Sequence, residues 1–239
     1  MKKRISKFTK EVSDFEDKIN KYIKRESDWF VAFAIGAILF FAFLYYHYIR
    51  RGIINPFSPN DISFLFLANK AVAISAVFLI GISFLLGSLA KFFTFFKEKV
   101  KYRKEIGLLG FFFALIHIVI VYFFLQDKFP RTWFIENPIA VVFGILSLIT
   151  LVIVAFISNN YLMKKLSYKK WIFIQRLAYL AFILAAFHIL FLGKIPGWIN
   201  WVKTLEPLFP PGTLVTISFI IIVLLIRISV IFLDKKERK

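Results

Sequence analysis

The chain has 239 residues, 59% of them hydrophobic and 19% aromatic, a density of apolar side chains that excludes a soluble globular domain. Its formal charge of +18 lies mainly in segments flanking apolar runs, which fits anchoring at an anionic membrane surface and does not fit nucleic acid as a partner. Cysteine is absent, so disulfides, thiolate metal sites, iron–sulfur clusters and cysteine nucleophiles are excluded.

A helix needs about 20 apolar residues to cross the hydrocarbon, and this length accommodates about six such spans. The expected fold is therefore an all-α integral membrane protein, a six-transmembrane-helix bundle with an N-terminal amphipathic helix. In residues 1–28 the apolar positions Ile5, Phe8, Val12, Phe15, Ile19 and Tyr22 recur at spacings of three and four, the stripe of an amphipathic helix. Its polar face mixes both charges, compatible with lying on the inner membrane surface or docking on a partner. A cleaved signal peptide is not expected, because the following apolar run is too long and lacks a small-residue cleavage site.

The first span is predicted over residues 29–48, followed by an outer loop to residue 60 whose Gly, Pro and Asn residues end the helix. The next apolar stretch is longer than one crossing requires and contains Lys70. It reads as an interfacial piece at 62–68 and a span at 69–92. Further spans are predicted at 106–125, 139–158, 171–192 and 213–233, with Trp133 at an interface and a Pro- and Trp-rich connection before the last. Lys and Arg crowd the N-terminal segment, residues 91–104, residues 164–170 and the tail. By the positive-inside rule both termini are cytoplasmic, at the cell's inner (plasma) membrane, and the third and fifth spans run outward in parallel.

Only three histidines occur, and His117 and His188 lie inside the third and fifth spans. Polar side chains at membrane depth are costly and face a bundle interior or a cofactor; a histidine bonded to a neighbouring helix is the alternative. Both lie past the middle of their spans toward the outer face, so two imidazoles can meet at one depth. Such a pair suits haem iron, whereas zinc usually takes three or four ligands and neither span offers a carboxylate. His47, at the outer end of span one, reads as an interfacial histidine beside aromatic residues. Arg227 lies near the inner end of span six, where it can snorkel. No phosphate loop, nicotinamide fingerprint or nucleophile elbow occurs, so any redox chemistry needs a cofactor.

The stretch "RKEIGLLGFFFALIH", residues 103–117, resembles the ferric-reductase-like transmembrane family, in particular its haem-binding membrane subunits of bacterial periplasmic methionine-sulfoxide reductase systems. Arg103, Lys104, Gly107, Leu108 and His117 carry the likeness. A second block, "SNNYLMKKLSYKKWIFIQRLAYLAFILAAFH", carries it through Trp171, Tyr179 and His188. The likeness extends over roughly residues 69–233 and places the haem-binding domain within 61–239. It implies a membrane b-type cytochrome with one haem ligated by His117 and His188, moving electrons to an outer-side acceptor protein or ferric iron. Two-haem relatives carry a second histidine pair at the inner level, where this chain has Arg103 and Gln175, so that site is expected to be vacant. Electrons are expected from a separate flavoreductase, a membrane quinol, or FMN at the inner face. Arg103, Lys104, Arg176 and Arg227 are candidate flavin or quinone contacts, or simply inner-interface anchors. A haem-free structural or binding protein on a degenerate scaffold is the alternative.

Overall fold

The computed structural model describes residues 2–54 and 63–236, and all regular structure among them is helical. Helix α1 (Lys2–Ile54) is 53 residues long. It joins the amphipathic segment and the first span without a break. The reason is local: no Gly or Pro occurs before Gly36 to interrupt the backbone ladder. At 1.5 Å per residue such a helix is about 80 Å long, well beyond the bilayer thickness. The turn expected after span one begins later than Gly52, because α1 continues to Ile54; residues 55–62 lie outside the described residues.

Helix α2 (Phe64–Phe92) takes in most of the stretch expected as an interfacial piece. The Ser63 hydroxyl accepts from the Phe66 amide at 3.4 Å and starts the helix there. Lys70 is accommodated inside it by laying its ammonium 4.2 Å from the centroid of the Phe66 ring, one turn back. A short turn α3 (Thr94–Lys97) and a 3₁₀ turn lead into α4 (Arg103–Val119), which continues as a π-helical turn, Ile120–Phe124. Helix α5 (Arg131–Glu136) precedes α6 (Pro138–Ile157), and α7 (Asn160–Lys165) precedes α8 (Tyr168–Leu190). The connection after α8 folds into α9 (Ile195–Thr204) before α10 (Gly212–Lys236), fastened where Trp198 Nε1 donates to Thr213 at 2.9 Å.

Among the described residues, six helices are long and apolar enough to cross a membrane. Within their most apolar windows 56% of α2 is buried, against 11–28% for the other five, so α2 is the central helix. It packs on α1, α4 and α10, while α6 and α8 form a second antiparallel pair. One core cluster joins Ile80 and Phe84 of α2 to Phe182 of α8 and Ile220 of α10; another joins Ala32, Leu79, Ile106 and Leu109 of α1, α2 and α4. Exposed Phe30, Phe41, Ile145 and Leu225 belong to the outward faces that lipid solvates.

Candidate functional site

Two antiparallel helix pairs build the site, and each places a histidine near the end of its second helix. On the α2–α4 seam the Ser83 hydroxyl donates to the Arg103 carbonyl at 2.8 Å. Seven residues along α4, Gly110 lies so close to α2 that a Cβ there would stand 3.0 Å from the Ala76 carbonyl oxygen. Seven further, His117 Nδ1 lies 2.9 Å from Asn69 Oδ1. Each step of seven along α4 is answered by a step of seven backward along α2, the register of two antiparallel helices packed through small residues.

The α6–α8 seam repeats this plan. The Ser147 hydroxyl donates to the Ala181 carbonyl at 2.8 Å, and His188 Nδ1 donates to the Ala140 carbonyl at 2.7 Å. Gly144 makes that reach possible, since a Cβ there would stand 3.0 Å from His188 Nδ1. Residues 140 and 144 share one face of α6, so a side chain at 144 would cover the carbonyl of 140. In both pairs the histidine follows its acceptor by 48 residues. Asn69, Ala76, Gly110 and His117 fall 71 positions before Ala140, Ser147, Ala181 and His188, and Leu109, Phe111, Ala114 and Ile118 recur identically at the same offset. The two hairpins are an internal repeat.

This arrangement decides the chemistry of both rings. A carbonyl oxygen only accepts, so Nδ1 of His188 carries the proton; the Asn69 carboxamide oxygen places the same demand on His117. Each neutral imidazole then keeps its lone pair on Nε2, the form in which histidine binds a metal, with the other nitrogen fixed from behind. His117 is anchored by α2 and His188 by α6, and the two lie within electrostatic range of each other. Among the described residues no group of three or more His, Asp or Glu is placed to hold a metal ion. The donor set is thus two neutral imidazoles in apolar surroundings, which fits an axially ligated haem and does not fit a zinc site.

Arg103 and Gln175, the two residues expected at the inner level, each pack on the partner helix of their own hairpin. Arg103 lies along α2, where a Cβ on Gly87 would stand 2.8 Å from its guanidinium nitrogen Nη1. Gln175 Nε2 donates to the Ser158 hydroxyl of α6 at 3.1 Å. Of the other basic residues considered for an anionic cofactor, Arg227 sits 5.3 Å from the centroid of the Tyr179 ring, and Lys104 and Arg176 are exposed on α4 and α8.

His47, read as an interfacial residue beside aromatic side chains, packs edge-on to Tyr46 within a helix contact. It is only 9% exposed, and its Nε2 is buried without a hydrogen-bond partner. The cause is Gly212 at the start of α10, where a Cβ would stand 2.7 Å from His47 Cε1. Tyr46 and Arg50 hold α1 there, donating to the carbonyls of Pro210 and Phe209. His47 therefore belongs to the α1–α10 contact rather than to the seams that carry His117 and His188. Sequence reading missed Asn69 and Gly144, although the 71-residue self-similarity was a usable signal: it aligns both with the surroundings of a histidine.

Comparison with known proteins adds the following. The family described as "Ferric reductase like transmembrane component" matches residues 62–186, just over half of the chain. Metalloreductase STEAP2 of Homo sapiens is 26% identical over an alignment 251 positions long, gaps included, covering 86% of this chain and 49% of that protein. Its Mus musculus counterpart is 27% identical over 200 residues, covering 66% and 40%. The protein-methionine-sulfoxide reductase heme-binding subunit MsrQ of Brucella ovis is 31% identical over 102 residues, covering 41% and 44%. The chain thus spans about half the length, or less, of these curated relatives.

Proposed function

This chain belongs to the ferric-reductase-like transmembrane family, and from that premise we propose that it is a membrane cytochrome subunit holding one b-type haem between His117 and His188. The observation that carries this reading is the paired Nδ1 anchoring, to Asn69 Oδ1 at 2.9 Å and to the Ala140 carbonyl at 2.7 Å, which leaves both Nε2 lone pairs for a metal. The name of the Brucella relative, a heme-binding subunit, supports the choice of group. Haem held this way supplies reversible one-electron iron chemistry.

The residues of this chain do the rest. Asn69 and Ala140 hold the two rings in a ligating tautomer, and Gly144 gives His188 the room to reach its acceptor. The apolar side chains of α4 and α8 exclude water. Arg103 and Gln175 offer no ligand at the inner level, because a guanidinium is a permanent cation and a carboxamide has no imidazole nitrogen. One haem in the outer half of the bilayer is the proposed complement. Electrons enter from the inner side, from a flavoreductase, a quinol or bound FMN, and leave to an outer-side acceptor protein or ferric iron. The chain sits in the cell's inner (plasma) membrane with both termini cytoplasmic.

The test is spectroscopic. Protein purified after expression with ample haem is expected to show a Soret band and sharp α and β bands on reduction, at one haem per chain. His117→Ala and His188→Ala are each expected to abolish the six-coordinate spectrum. The second reading, a haem-free scaffold, is favoured by the fact that both histidines already bond to a neighbouring helix. A colourless parent protein under full haem supply decides for it.

A further inference from the structure

We propose that Asn69 is the positioning residue of His117, taking its Nδ1 proton and so setting the tautomer, ring plane and basicity of that imidazole; this rests on the haem-binding reading above. Asn69 is 2% exposed, and its carboxamide oxygen lies 2.9 Å from His117 Nδ1. A buried amide is costly in an apolar seam unless it is hydrogen-bonded, and this bond offsets that cost.

The internal repeat explains why this half of the site needs a side chain at all. On α6 the acceptor is the main-chain carbonyl of Ala140, open because the next residue on that face is Gly144. The corresponding residues of α2 are Asn69 and Ala73. By the same helical geometry that sets residue 144 over the carbonyl of residue 140, a methyl at 73 would cover the carbonyl of residue 69, where α6 has only hydrogen. The imidazole of His117 is therefore denied the main-chain oxygen that His188 uses, and a side chain at 69 has to supply one instead. Asn meets this with a two-bond reach and a neutral oxygen. The two halves thus reach the same end, an Nδ1 proton held by a carbonyl oxygen, through different atoms: a side chain of α2 and the main chain of α6. A hydrogen bond at Nδ1 makes the imidazole a stronger electron donor, and a carboxylate there strengthens it further.

The experiment uses the full chain purified with haem, in four forms: parent, Asn69→Ala, Asn69→Ala with Ala73→Gly, and Asn69→Asp. The readouts are the reduced-to-oxidised haem ratio at fixed ambient potential and the electron paramagnetic resonance spectrum of the ferric state. Asn69→Ala is expected to shift the ratio about tenfold toward reduced haem, equivalent to about 59 mV for one electron, and to change the low-field ferric signal. Asn69→Asp is expected to shift it about tenfold toward oxidised haem. Adding Ala73→Gly to Asn69→Ala opens the main-chain oxygen and is expected to return both readouts most of the way to the parent. Parent-like ratios and spectra in Asn69→Ala and Asn69→Asp overturn the inference while leaving the haem reading intact; so does an Asn69→Ala shift that Ala73→Gly fails to reverse. If Asn69→Asp does not accumulate, the Asn69→Ala pair decides alone. A haem-free parent, or haem that survives His117→Ala, overturns the functional reading and this inference with it.

Discussion

Gly144 shows what a single missing side chain does for this site. A Cβ there would meet three ring atoms of His188, Nδ1 at 3.0 Å, Cε1 at 3.3 Å and Cγ at 3.6 Å, so the imidazole has to turn away from Ala140. Gly144→Ala is expected to weaken haem binding by about 10–100-fold, the usual cost of losing a partner behind a metal ligand, in titrations of the haem-depleted protein. Gly197→Ala is the matched control, because a Cβ at Gly197 meets nothing within 4 Å. At the inner level Gln175→His is expected to leave the haem content at one per chain by pyridine haemochrome assay. The new imidazole would face no ligand on α4, where Arg103 lies along Gly87.

Helix α2 sets the spacing of the elements around it. Gly110 of α4 approaches it so closely that a Cβ would stand 2.8 Å from Ile80 Cγ1 and 3.0 Å from the Ala76 carbonyl oxygen, and main-chain atoms of a central helix cannot yield cheaply. Gly110→Ala is expected to destabilise the bundle by about 1–3 kcal/mol, as overpacking does, read as a lowered unfolding temperature in detergent. The seam carries His117 at its end, so the same change is expected to broaden the visible spectrum of the haem-loaded protein. Element boundaries were legible only where the chain punctuates them. Pro138 marks the start of α6 in the sequence as in the structure. The division expected between residues 68 and 69 is no helix boundary, because a cation inside a helix, Lys70, need not end it when an aromatic ring one turn away covers its charge.

At the scale of the whole molecule, two hairpins of one register face each other, the first braced by α1 and α10 around α2. Six crossings put the ends of α1 and α10 on one side of the membrane. The excess of Lys and Arg on that side predicts that reporter fusions at either end are active in the cytoplasm and silent outside. A reporter active outside at either end contradicts this topology.

The number of spans and their helical nature were written in the order of residues. Lipid offers backbone groups no partners, so an apolar stretch of sufficient length has to form a helix. The burial of His47, the anchoring of each Nδ1 and the separate fates of Arg103 and Gln175 were settled only by tertiary packing. Each depends on which residue of another helix arrives opposite, some 48 positions away in the case of His117 and His188. That register is set by close approaches at Gly110, Gly144 and Gly212, contacts between helices that hydropathy along one helix does not record.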